Sequence, residues 1–139
     1  MREILFRGKR IDNGEWVEGA FLNDRDGAFY ICPAVSDISY GDSGNRRRIG
    51  CWYKVDPYTV GQYTDLKDKN GKRIFEGDIV QAHFRTNHSK QIFRVTFDDG
   101  MFIFNNGYVK LPVRGIYRIK VIGNVHDNPE YMKEGADNG

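Results

Sequence analysis

The sequence predicts a mainly β fold of short-stranded hairpins, and three observations carry that expectation. Polar turn pairs recur along the chain: Asn13-Gly14, Asn70-Gly71, Asp99-Gly100 and Asn106-Gly107. Aromatic residues make up 14% of the 139 residues and glycines number 16, a composition of packed short strands with many turns. Helical periodicity is almost absent, while β-branched and aromatic runs sit between turn residues. The expected architecture is an amino-terminal β part over 1–59, with a long loop near 33–50. A carboxy-terminal β-meander over 60–128 follows, forming a small SH3-like barrel or a sandwich. Residues 129–139 give a short helical turn and a disordered tail.

The amino-terminal elements follow from their punctuation. Ile4 to Ile11 and Glu15 to Leu22 flank Asn13-Gly14 and read as a hairpin. Ala28 to Cys32 is an aromatic strand ended by Pro33, which cannot donate to a ladder. Ala34 to Tyr40 could hold a helical turn or a frayed strand, and Gly41 to Arg48 reads as an exposed, mobile loop rich in breakers. Cys51 to Val55 is a strand that enters Asp56-Pro57, where proline biases Asp56 towards extended geometry.

The stretch Val60 to Val80 joins the two parts as a hairpin over 60–77. Asn70-Gly71 suits a two-residue type I′ turn, which needs positive φ at both positions. Gly77, between Glu76 and Asp78, marks a second reversal. Four further strands are expected at Ile79–Arg85, Lys90–Phe97, Met101–Phe104 and Tyr108–Leu111, with Gly100 in the second of the turns between them. The last strand, Ile116 to Gly123, alternates cleanly, with Ile119 and Val121 opposite Arg118, Lys120 and Ile122. Asn128-Pro129 reads as a helix start. Glu18-Gly19 after Asn13-Gly14 echoes Glu76-Gly77 after Asn70-Gly71, but the spacings differ by one residue, so the echo reads as recurrent hairpin chemistry.

Charge and motifs exclude more than they assign. The formal net charge of +2 gives no whole-molecule pull towards nucleic acid or membrane. No apolar run approaches a membrane span or a signal-peptide core, so a cytoplasmic protein is expected. Cys32 and Cys51 form no disulfide framework and read as packed thiols at strand ends. His83, His88 and His126 show no metal-ligand spacing, and no metal or cofactor is expected. A calcium loop fails at Asn70-Gly71, because Leu66 and Gly77 would occupy the positions that need Asp and Glu. There is no nucleophile elbow and no phosphate loop before a helix, so no catalytic residues are assigned. A converging His83 or His126 with carboxylates would be needed to argue for an enzyme.

Two contact patches remain. Arg46, Arg47 and Arg48 sit just before Trp52 and Tyr53, and Arg114 and Arg118 flank Tyr117. Arginines beside aromatics can bind single-stranded nucleic acid through phosphate attraction and base stacking. They can equally be solvated loop charges and Arg–aromatic packing. Short strands also leave edges that invite pairing with another copy of the chain or a protein partner.

Four blocks together resemble the YopX family of phages and prophages of Gram-positive bacteria. They are Lys9 to Gly19, Val60 to Gly71, Ile74 to Val80 and Val121 to Glu130, in the family's order and over nearly the whole chain. The resemblance implies a phage or prophage protein in a bacterial cytoplasm and a mainly β fold. The family has no assigned activity, so no catalytic residues carry over, and residues 33–50 lie outside the resemblance. The function expected is a non-enzymatic binding or assembly module, self-associating or bound to a phage or host protein. The alternative is a single-stranded nucleic-acid binder. Gly14, Gly61, Gly71, Gly77, Gly123 and Pro129 then read as backbone-geometry residues.

Overall fold

The structure is a computed structural model. It describes residues 2–33 and 52–132, with the backbone of residues 38–40 and 47–49. The chain forms two compact units, Met1–Tyr63 and Thr64–Gly139. The described residues are mainly β and contain no helix beyond 3-10 turns.

The first unit holds β1 (Phe6–Lys9), β2 (Trp16–Asn23), β3 (Phe29–Cys32), β4 (Ile38–Tyr40), β5 (Arg47–Ile49), β6 (Tyr53–Val55) and the start of β7 (Gly61–Lys67). Its main sheet runs β6-β3-β2-β1-β7. The paired strands are antiparallel, with Phe6 opposite Gly19 and Phe21 opposite Ile31. Phe6, Phe21 and Phe29, each half-buried, meet in sequence at ring-centroid distances of 5.2 and 5.1 Å, the second pair edge-on, and Ile31, Val55 and Tyr63 are buried. Gly19 lies within β2, where a Cβ would collide with the Cys32 carbonyl. It serves close strand approach, which corrects the hairpin role expected from the Glu18-Gly19 echo.

The second unit contains the rest of β7, β8 (Arg73–Phe75), β9 (Asp78–Phe84), β10 (Lys90–Asp98), β11 (Met101–Asn105), β12 (Lys110–Leu111) and β13 (Ile116–Asn124). Five strands form one antiparallel sheet in the order β12-β11-β10-β9-β13. Ile74, Val80, Phe93, Val95, Phe104 and Ile116 anchor its core, and Leu66 and Ile119 pack against it. Gly77 takes φ +94° at the corner into β9, where its N–H donates to the Val95 carbonyl at 2.8 Å. Asp78, 1% exposed, accepts the Phe75 N–H at 2.7 Å and so closes the same corner.

The turns differ in type from the sequence expectation. At Asn70-Gly71 only Gly71 has positive φ, +83°. Asp68 accepts the N–H groups of Asn70 and Lys72 on Oδ1, at 2.8 and 2.9 Å, and this Asx geometry favours a type I turn followed by a left-handed glycine. At Asn13-Gly14 the loop is also longer than two residues. The Gly14 N–H reaches the Arg10 carbonyl at 3.0 Å, and Asn13 Oδ1 accepts the Glu15 N–H at 2.9 Å. The two-residue turn with both residues left-handed appears instead at Asp99 (φ +51°) and Gly100 (φ +78°), between the paired residues Asp98 and Met101.

Other expectations are also revised. Arg47 and Arg48 belong to β5, an antiparallel ribbon with β4 in which Ser39 faces Arg48 and Tyr40 faces Arg47, so the expected loop is partly strand. Arg46, Cys51 and the expected carboxy-terminal tail lie outside the described residues. The clean alternation of β13 is broken by two register shifts, between Tyr117 and Lys120 and between Val121 and Gly123. A 3-10 turn at Pro57–Thr59, capped by Asp56, was not expected. The turn at Pro129–Met132 forms, while Asn128 Oδ1 reaches back to accept the Asn124 N–H at 3.2 Å. No helix among the described residues is long and apolar enough to cross a membrane.

Candidate anion-binding site

The second unit contains a hollow of ≈ 400 Å³ that draws on three separate segments. Lys67, Asp68 and Lys69 come from the end of β7 and its turn, Arg85 follows β9, and Arg114, Tyr117 and Arg118 surround the start of β13. Val113, Ile116 and Ile119 supply its apolar lining. Five cationic residues thus border a mostly apolar hollow, together with one carboxylate residue.

That carboxylate is structural. Asp68 is 8% exposed, and besides its two Oδ1 bonds it accepts the Val121 N–H on Oδ2 at 2.9 Å. Burial pushes its pKa up, but the N–H groups of Val121, Lys72 and Asn70, with the Lys72 charge, outweigh burial and hold it below the usual carboxylate range. The neighbouring Lys69 N–H donates to the Ile119 carbonyl at 2.8 Å. The hairpin turn therefore grips the bulged part of β13 from both sides of Lys120. Within that bulge Arg118 has φ +57°, an uncommon backbone state for a residue with a Cβ, and it is exposed at the hollow.

Tyr117 organises the other wall. The Arg85 guanidinium lies 5.4 Å from its ring centroid, the His83 ring lies 5.4 Å away, and His88 meets it edge-on at 5.8 Å. The Tyr117 hydroxyl and His88 Nδ1 share a hydrogen bond of 2.7 Å. Tyr117 is thus a seat for Arg85, with its ring already engaged. Tyr53 behaves alike in the first unit, with the Arg10 guanidinium 4.0 Å from its ring centroid and paired to Asp12 at 2.7 Å. Two of the three aromatics expected as base-stacking platforms, Tyr53 and Tyr117, carry arginines.

The family model described as YopX protein matches residues 5–133. The chain belongs to the YopX family. This places it among phage and prophage proteins of Gram-positive bacteria. It is also similar to a solved structure, the crystal structure of protein EF1440 from Enterococcus faecalis. Identity there is 28%, the similarity covers 96% of this chain and 100% of that one, and the TM-score is 0.65. No curated protein matches the chain.

In this YopX chain the sequence-predicted contact residues fall into separate places. Arg114, Tyr117 and Arg118 come together in the hollow. Trp52, 37% exposed, and Tyr53 belong to the first unit with the backbone of Arg47 and Arg48. Sequence reasoning missed Lys67, Lys69 and Arg85. The two lysines flank Asp68 in the block that carries the family resemblance, and the only signal available was their charge beside a turn. Among the described residues no three His, Cys, Asp or Glu side chains gather in a way that could hold a metal ion.

Proposed function

We propose that this YopX protein is a non-enzymatic binding module acting in the cytoplasm of a bacterial host, and that the hollow of the second unit is its contact surface for a polyanionic partner. The carrying observation is the assembly of Lys67, Lys69, Arg85, Arg114 and Arg118 around a carboxylate whose oxygens are engaged by backbone N–H groups. Cations gathered on a shared concave surface concentrate positive potential that the net charge of +2 conceals. The test is retention on a heparin column against the double variant Lys67→Glu/Arg114→Glu. The wild type is expected to need markedly more salt for elution than the variant. Equal elution of the two proteins would sink the proposal.

A further inference from the structure

We infer that the ligand of the hollow is the sugar–phosphate backbone of a single-stranded nucleic acid. This rests on the hollow being the binding surface and adds the ligand class. Every charged or polar side chain lining it, apart from Asp68 and the Tyr117 hydroxyl, is a hydrogen-bond donor without acceptor capacity. Asp68 is already bonded to three N–H groups, and the Tyr117 hydroxyl to His88. A donor-only lining suits a phosphodiester, whose charged oxygens only accept.

The arginines add geometry to charge. Arg85 is held over Tyr117, so its planar donor fork is ordered before a phosphate arrives. Arg118 is turned out of the strand alternation by the bulge, and Lys69 and Ile119 fix that bulge from the turn side. A non-glycine residue in left-handed geometry at a bulge is the kind of local strain that accompanies a binding surface. The apolar wall of Val113, Ile116 and Ile119 offers a surface for sugar or base edges.

Placement favours a single strand. The cations come from three separate segments. A duplex presents its phosphates on a stiff cylinder, whereas a single strand can adjust each backbone bond to meet cations that are irregularly placed. Because the Tyr117 ring is engaged by Arg85, His83 and His88, recognition falls on phosphates, and binding is independent of sequence.

The experiment is fluorescence anisotropy of the full chain with a labelled oligo(dT), an oligo(dC) of equal length, the matching duplex, and heparin as a polyanion without nucleotides, each over a salt series. The wild type is expected to bind both single strands equally and the duplex more weakly. If all five cations meet phosphates, the log–log salt slope is about −3.5. The variant Arg85→Ala/Arg114→Ala/Arg118→Asn, with Asn chosen because it tolerates positive φ, is expected to lose on the order of tenfold or more in affinity and to flatten the slope to about −1.4. Lys67→Ala/Lys69→Ala tests the opposite wall independently, and Arg94→Ala, exposed outside the hollow, is expected to bind as wild type. Thermal unfolding of each variant checks that the fold is kept. Heparin binding that the hollow variants abolish, without oligonucleotide binding, overturns this inference and leaves the proposed function standing. Binding to neither overturns both. Duplex bound as tightly as single strand overturns the strand preference.

Discussion

At the scale of single residues, Asp68 is the pivot of the second unit. One carboxylate closes its own turn through Asn70 and Lys72 and ties that turn to β13 through Val121. Removing it leaves three N–H groups without their acceptor, so Asp68→Ala is expected to cost about 3 kcal/mol or more, read by denaturant unfolding. Asp68→Asn keeps one carbonyl acceptor and is expected to cost less. The pH dependence has a definite sign. The folded-state pKa of Asp68 is lowered, so its contribution is present above the unfolded carboxylate range near pH 4 and is lost as pH falls through the folded value. The melting-temperature gap between wild type and Asp68→Asn should therefore be flat from about pH 5 to 8 and close below about pH 4. A gap that widened in acid would contradict the role assigned to the carboxylate.

Gly19 shows a different residue-scale constraint. Its space is taken by the Cys32 carbonyl of the neighbouring strand, so any side chain forces β2 and β3 apart. Gly19→Ala is expected to destabilise by about 2–3 kcal/mol, in the range of overpacked interiors. Gly14→Ala serves as a comparison. No atom lies within 4 Å of a Cβ there, and only its φ of +75° opposes the change, so its cost should be nearer 1 kcal/mol.

At the scale of elements, the turns matter more than the strands they join. Three turn pairs of similar composition adopt different geometries because of the side chains around them. Asp68 imposes a type I turn before Gly71, Asn13 bonds the Glu15 N–H inside a longer loop, and Asp99-Gly100 is left to form the fully left-handed pair. Since Asn favours that last geometry, Asp99→Asn is expected to stabilise by a few tenths of a kcal/mol, measurable as a small rise in melting temperature. The first of the two bulges of β13, between Tyr117 and Lys120, is the element-scale feature that places residues at the hollow. It shifts the register against β9 and leaves Arg118 exposed at the hollow, while Ile119 and Val121 keep to the core side. Hydrophobic alternation in the sequence located β13 and its buried residues, but bulges leave no mark in an alternation pattern this short.

At the scale of the whole molecule, charge balance conceals the candidate site. Lys and Arg exceed Asp and Glu by only two, yet five of the cations line one hollow. Ligand binding there should weaken steeply with salt, whereas stability should respond little, because the five side chains pack on the surface and the core is apolar. Phe93→Ala, deep in that core and fully buried, is expected to cost about 3–5 kcal/mol at any ionic strength.

The sequence by itself determined the mainly β character, most strand positions, most turn sites and the YopX resemblance. All of these are written in local alternation, in turn residues and in short contiguous blocks. It also supplied Arg114, Tyr117 and Arg118 as contact candidates, through the proximity of arginine to an aromatic. Only the tertiary structure decided that Lys67, Lys69 and Arg85 join them, and that Tyr117 holds Arg85. The joining bond shows why: Val121 donates to Asp68 across 53 residues of chain, and no local pattern encodes which distant backbone group a buried carboxylate will meet.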